Sequence, residues 1–349
     1  MKKIARIVGF SLLALTLLST GGWVILALLY AGPSDKLLSL LLLTSFSIAL
    51  FSALLSLGVA RWRGYMVGAY FTLFAVTLLW FVSIEPSNTR DWDTDVALLP
   101  SAKIDGDIVT MHNIRNFDYQ SETDFTPAYY NRQFDLRKLE GVDVVTAYWM
   151  GPEVAHVFLS FEFSGDEHLA ISIETRKEKG EGYSTLKGFF RRYELFYVVA
   201  DERDVIRLRT NYRQDPPEDI YIYRAAGSLE QGRQLFLEYI KQINALNTKP
   251  QFYNTLTSNC TTTIWLNAHV NEQRIPLNWK ILVSGYLPEF LYESKRLDTG
   301  GLSFEELQQQ AHINTRAQAA DTSADFSRLI RLPLQPTEPA NAASQQEEQ

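Results

Sequence analysis

Three long apolar runs crowd the first 84 residues of this 349-residue chain, and they limit its architecture more than any other feature. They lie at about 7–31, 37–60 and 65–84. Each holds the ~20 residues that a helix needs to cross ~30 Å of hydrocarbon. A cleaved signal peptide is the competing account of the first run. Its apolar stretch is longer than the usual core of ~7–15 residues, no small-x-small cleavage site follows, and two more spans come directly after it. Residues 1–84 therefore read as a transmembrane region of three helices.

Basic residues orient these spans. Lys2, Lys3 and Arg6 precede the first, and Arg61 and Arg63 sit in the short loop between the second and third. The loop between the first two holds Asp35 and a single lysine, Lys36. The positive-inside rule places the N-terminus and the Arg61 loop in the cytoplasm. Three crossings then put everything after Ile84 outside it. In a bacterium this is an inner-membrane protein with a periplasmic soluble domain.

The remainder is charged and aromatic, and it carries the net charge of −7. No basic stripe is present to meet phosphates, so a nucleic-acid partner is excluded. Residues 85–106, with Pro86, Pro100 and several aspartates, read as an extended linker. Residues 107–311 read as one domain. The segment 312–349, rich in Ala, Gln, Thr, Pro and Glu, reads as a disordered tail.

Within 107–311 the pattern is strands first and helices later. Period-two alternation marks strands at 107–111, 142–149, 156–163, 169–176, 194–200 and 219–224. The pair 156–163 and 169–176 forms a hairpin, with His168 in its turn. If the apolar faces match, Val157 opposes Thr175, Leu159 opposes Ile173 and Phe161 opposes Ile171. That register sets His156 opposite Arg176 and diagonal to Glu174. Residues 228–246 form an amphipathic helix capped by Ser228. A second helix starts at Cys260, after a loop ending in Asn259, and shorter ones follow near Leu282 and at 288–291. This order implies an α+β domain with an antiparallel sheet packed on helices.

Cys260 is the sole cysteine. It cannot form an internal disulfide, and an unpaired thiol outside the cytoplasm is a liability unless it is buried or used. A small buried hydrophobe is the plain account. Its placement argues for more. Asn259 is a strong N-cap type, so Cys260 falls in the first turn of a helix, where free N–H groups and the helix dipole favour an anion. Such a setting lowers a thiol pKa and supplies part of an oxyanion hole. The base is sought among five histidines. His312 borders the tail, His269 lies more than two turns along the helix of Cys260, His168 sits in a turn, and His112 follows a strand. His156 opens a strong strand, on the face shared by Phe158, Ser160 and Glu162. Glu174 can orient its imidazole; Arg176 can pair with Glu174 or bind an anionic substrate group. Tyr183 and Tyr253 are candidate site walls or core aromatics. No cofactor motif is present, and no two histidines have helical ligand spacing, so neither cofactor nor metal is expected.

The segments AHVFLSFEF, LAISIETRKEKGEGYS, YELFYVVADERDVIRLRT and FYNTLTSNCTTTI occur in order. Together they resemble the DUF4105 domain, the N-terminal periplasmic domain of Lnb-type proteins, over about 113–291. The resemblance implies a permuted papain-like thiol fold related to NlpC/P60 enzymes, with the histidine before the cysteine. It implies His156 and Cys260 as the working pair, with the Asn259-Cys260 pair at the helix start; from the residues, Asn259, Arg176 and Tyr183 are the candidate oxyanion or supporting groups. It further implies thiol acyltransferase or hydrolase chemistry on a lipid-linked substrate such as lipoprotein acyl chains, with membrane lipids or lipoproteins as partners. One feature departs from that family, whose spans follow the domain; here three precede it. A cell-wall peptide amidase using the same dyad, or a non-catalytic envelope-binding domain, are the other classes left open.

Overall fold

The structure is a computed structural model, and it describes residues 1–268 and 276–332. The chain divides into two compact units. One comprises Met1–Ala97, Thr175–Phe196 and Thr248–Asn259; the other comprises Leu98–Glu174, Tyr197–Asn247 and Cys260–Gln349.

The first unit holds three helices, α1 (Lys2–Ala31), α2 (Lys36–Ser56) and α3 (Ala60–Ser83). All three are long and apolar enough to cross a membrane. Asp35 starts α2 by accepting from the Leu38 N–H at 2.7 Å. The break between α2 and α3 is only 57–59, so Arg61 and Arg63 lie in the first turn of α3 rather than in a loop. A helix can continue past the end of an apolar run, because its backbone bonds do not depend on side-chain polarity. Leu17, Val24, Phe46, Ala53 and Tyr70 pack between the helices. Gly21 leaves room there for Leu50: a Cβ on it would meet Leu50 Cδ2 at 2.6 Å, and that side chain would have to shift. Small residues of this kind let membrane helices approach closely.

The proposed linker is not a free tether. Arg90 pairs with Glu178 and the buried Glu194, both at 3.0 Å. The Asp93 N–H donates to the Lys177 carbonyl at 3.0 Å. Trp92 and Val96 are buried. Ionic and aromatic contacts order this stretch without any long apolar period, which is why its pattern reads as extended.

The second unit is built on a mixed sheet. In chain order its strands are β1 (Ser101–Asp105), β2 (Ile108–Arg115), β3 (Asp118–Tyr119), β4 (Phe125–Thr126), β5 (Tyr129–Asp135), β6 (Leu139–Tyr148), β7 (Ala155–Phe163), β8 (Glu167–Arg176), β9 (Glu194–Ala200) and β10 (Asp219–Arg224). The main sheet runs β1-β2-β9-β8-β7-β6-β10, with β5 on β2 and β3–β4 as a separate ribbon. Most pairs are antiparallel, but β2 meets β9 in parallel at Arg115 and Ala200. The sheet is therefore mixed, not purely antiparallel. Strands β1 and β5 were not apparent from alternation, because they are largely exposed.

The β7–β8 hairpin carries the most consequential correction. Leu159 pairs with Ile171, Phe161 with Leu169 and Phe163 with Glu167, two residues from the register that matching apolar faces implied. A two-residue slip keeps every side chain on its face, so the apolar pattern cannot detect it. The turn decides instead: Ser164–Asp166 closes with Gly165 at φ 88° and Asp166 at φ 61°. As a result His168 is a buried residue of β8, not a solvated turn residue. Extended along the strands, this register sets Glu174, not Arg176, opposite His156.

Helices cover the sheet. α4 (Glu202–Arg207) runs into a π-helical turn at Leu208–Tyr212, and α5 (Leu229–Thr248) follows β10. A reciprocal box caps α5: the Gln231 N–H donates to Ser228 Oγ and the Ser228 N–H to Gln231 Oε1. Phe236 and Tyr239 of α5 lie against Phe161 with ring centroids 4.9 and 5.9 Å apart. Burying side chains of this size contributes about 1.5–3 kcal/mol each. Then come α6 (Cys260–Asn267), α7 (Trp279–Leu282), α8 (Leu287–Glu293), α9 (Phe304–Ala311), α10 (Asn314–Ala319) and α11 (Phe326–Leu329).

The last two helices overturn part of the expected disorder. Ile313, Ala317, Phe326 and Ile330 are buried. Arg331 pairs with Asp143 at 2.7 Å and with Glu202 at 2.6 Å. A few well-spaced apolar residues and one arginine fix a segment whose average composition is polar. Residues 333–349 of the expected tail lie outside the described residues.

Candidate functional site

Strand β7 presents two unlike faces. Val157, Leu159, Phe161 and Phe163 form the apolar one. His156, Ser160 and Glu162 alternate with them, and each joins a polar network. Ser160 donates to Glu202 at 2.6 Å, and Glu162 pairs with Arg224. His156 is the member that meets Cys260.

Cys260 opens α6 and is buried. Its thiol shares a side-chain hydrogen bond with His156 and accepts from the Val157 N–H. His156 Nε2 lies 2.7 Å from Ser172 Oγ and 3.0 Å from Glu174 Oε1. Ser172 in turn donates to Glu174 Oε1 at 2.7 Å. A hydroxyl has one proton, and this one goes to the carboxylate. Nε2 must therefore carry the hydrogen toward Ser172, which fixes the tautomer. Ser172 and Glu174 point to one face of β8 because they are two residues apart.

Arg209 closes the network from the π-helical turn. Its Nη2 donates to Glu174 Oε1 at 3.0 Å, and its Nη1 to Glu218 Oε2 at 2.8 Å. Arg213 Nη1 donates to Glu218 Oε1 at 2.7 Å. Ser172, Arg209 and Glu218 escaped sequence reasoning. Ser172 had a usable signal, its period-two spacing from Glu174. Arg209 and Glu218 had none, since a π turn leaves no simple pattern.

These contacts set the charges. Burial pushes the Cys260 thiol up, but the hydrogen bond and positive charge of His156 outweigh it, and the thiol pKa is lowered. Burial pushes His156 down, yet the Glu174 carboxylate prevails against it and against Arg209, raising the imidazole to about 9. Burial likewise opposes ionisation of Glu174, but His156, Arg209 and Ser172 hold it well below the usual carboxylate range. The site favours a thiolate beside an imidazolium, braced by a carboxylate.

The other expected site residues have their own partners. Asn259 donates from Nδ2 to the Thr255 carbonyl at 2.7 Å. Arg176 is buried, donating to the carbonyls of Val96 and Ala97 and to Asn88 Oδ1, with its guanidinium 4.3 Å from the Trp92 ring centroid. Its Nε, Nη1 and Nη2 all serve the segment before β1. Tyr183 is exposed and stacks on Tyr193 at 6.3 Å. Tyr253 is buried, with its N–H on the Tyr193 carbonyl. Among the other histidines, His112 lies on β2, His312 is 3.3 Å from Asp219, and His269 lies outside the described residues.

A cavity of about 700 Å³ runs along α6 from Thr261 past Ile264, Trp265 and Ala268, facing Leu159 and Leu235. Cys260 and His156 are not among its lining residues.

Residues 125–285 match the family model of the Lnb N-terminal periplasmic domain. The match includes β5–β10 and every member of the network from His156 to Cys260. No curated protein and no solved structure matches the chain. The match over 125–285 and the three helices long and apolar enough to cross a membrane together support a membrane-anchored protein with a periplasmic domain.

Proposed function

We infer, from a chain whose residues 125–285 belong to the Lnb N-terminal periplasmic domain family, that the protein is a membrane-anchored thiol acyltransferase or hydrolase acting on a lipid-linked substrate. The single observation that carries this reading is the hydrogen-bonded series Cys260–His156–Glu174. A buried thiol with a lowered pKa beside an oriented imidazole is the arrangement nucleophilic catalysis requires.

The steps follow from the tautomer. With Nε2 protonated toward Ser172 and Glu174, Nδ1 takes the Cys260 proton. The thiolate sulfur attacks the ester carbonyl carbon, forming the S–C bond, and the first turn of α6 directs N–H groups and its positive dipole end at the oxyanion. On collapse the C–O bond breaks, and the leaving alkoxide takes the proton back from the imidazolium. A thioester remains. An amine or water, deprotonated by His156, then attacks the thioester and regenerates the thiolate. The histidine-before-cysteine order also fits a permuted papain-like layout, which we adopt as part of the proposal.

The anchor supports a lipid-linked substrate. Confining a domain to the bilayer surface raises the effective concentration of embedded substrates without any new contact. The test compares the acylation state of the host's lipoproteins, by mass spectrometry, in cells carrying wild-type protein or Cys260→Ala. Loss of a wild-type acyl rearrangement in the variant is the expected result. Identical lipoprotein and lipid profiles would overturn it, and Cys260-dependent cleavage of peptidoglycan fragments would redirect the reading to an amidase.

A further inference from the structure

The carboxylate that braces His156 is held from outside its own strand as well as from within it. Glu174 has a side chain 26% exposed, so one end of it faces water. A glutamate in that position loses rotamer freedom on ordering, at an entropic cost that local contacts must offset. Oxygen Oε1 of Glu174 receives three groups: His156 Nε2 at 3.0 Å, Ser172 Oγ at 2.7 Å and Arg209 Nη2 at 3.0 Å. The first two belong to the unit being oriented. Arg209 comes from outside it, and its other arm is fixed on Glu218, which Arg213 also holds. Arg213 reaches Glu122 as well, at 3.1 Å. Arg209 itself is 5% exposed and sits on a π-helical turn. Such turns are rare and frequently mark functional sites.

We propose that Arg209 is a positioning residue: anchored on Glu218, it clamps Glu174 against His156 and so keeps the Cys260 thiol ionised. The inference rests on the Cys260–His156 reading of the site.

The sign of one effect separates clamping from simple charge. The groups facing His156 are Cys260, Ser172, Glu174 and Arg209. Arg209's positive charge by itself disfavours the imidazolium. If Glu174 stayed in place without it, removing Arg209 would make the imidazolium more stable and lower the thiol pKa further. If Arg209 is the clamp, Glu174 swings toward water, the imidazolium loses its partner, and the thiol pKa rises.

The experiment is the pH profile of Cys260 alkylation by iodoacetamide, using the full chain in detergent with folding checked by circular dichroism. Wild-type protein alkylates below the ordinary thiol range. Arg209→Met moves the profile to higher pH, and a displacement of about one on the pH scale slows alkylation on the acid side about tenfold. Arg209→Lys keeps the charge without the two-armed fork and falls between them. Should Arg209→Met fail to fold, Glu218→Gln frees the far arm while leaving Arg209 in place, and an upward move is again expected. A folded variant whose profile is unchanged or moves downward overturns the clamp while leaving the dyad standing. An ordinary thiol profile in the wild type instead overturns the dyad, and the clamp with it.

Discussion

His156 Nε2 lies 3.0 Å from Glu174 Oε1. The contact exists because the β7–β8 hairpin closes through a three-residue turn, two residues away from the register that places Arg176 there. The difference matters chemically. A carboxylate opposite the imidazole favours its protonated form, whereas an arginine would oppose it.

Glu174→Gln keeps the shape of this contact but removes the charge. The imidazolium then has less support, the thiol pKa rises, and acyl transfer slows. Orienting and general-base effects of this kind are worth about 10²–10⁴ in rate. We expect a loss in that range in steady-state turnover of an acylated substrate, with the alkylation profile of Cys260 moved to higher pH. Ser172→Ala, which leaves the carboxylate ionised, should cost less.

The same pair predicts an unusual dependence of stability on pH. His156 is raised to about 9 when folded, against about 6.5 in a free chain. Its contribution is fully present below pH 6.5 and lost as pH rises through 9. Cys260 is lowered, so its contribution is present above the ordinary thiol pKa of about 8.5 and lost as pH falls through the folded value. Above both pH 6.5 and the lowered folded pKa of Cys260, and below about 8.5, the folded pair holds one proton on His156 and the unfolded pair holds one on Cys260. The two slopes cancel. Cys260→Ala removes one of them. Thermal unfolding of that variant should show stability falling from pH 6.5 upward, while the wild type stays flatter; parallel curves would count against the ion pair.

The sequence made the strands of the hairpin, the capped helix α5 and the three apolar helices legible, because each has a period and a burial pattern to match. That His156 and Cys260 lie side by side was legible because a lone thiol at a helix start narrows the choice of neighbour. The rest was hidden for physical reasons. Register depended on backbone conformation at Gly165 and Asp166, not on hydrophobicity. Arg176 looked like a site residue but was bonded to the carbonyls of Val96 and Ala97, nearly eighty positions earlier. Arg209 and Arg331 act through contacts with residues far away in the chain, and no local pattern announces such contacts.

Arg331 offers a direct test of the ordered C-terminal segment. Its guanidinium pairs with Asp143 and Glu202, whose side chains are 2% and 0% exposed. Burial pushes Glu202 up, but Arg331 overcomes it and holds the carboxyl at about 2. Arg331→Met leaves two buried carboxylates short of a cation. Breaking a buried ion pair from one side costs about 3–5 kcal/mol. The melting temperature of the full chain should drop by several degrees or more, and a change near zero would show that the segment does not cover these acids.

Orientation in the membrane gives the last prediction. Lys2, Lys3, Arg6, Arg61 and Arg63 fall on one side of the bilayer if α1, α2 and α3 each cross once, and Lys36 falls on the other. The excess of basic residues marks the cytoplasmic side. Single cysteines introduced in a Cys260→Ala background can report this with a membrane-impermeant maleimide. Lys36→Cys and Lys103→Cys should label in intact spheroplasts, since both positions are exposed and expected outside. Lys3→Cys and Arg61→Cys should label only after lysis. The reverse pattern would put the Cys260 thiol in the reducing cytoplasm, where an unpaired cysteine needs no special explanation and a periplasmic lipoprotein could not reach it.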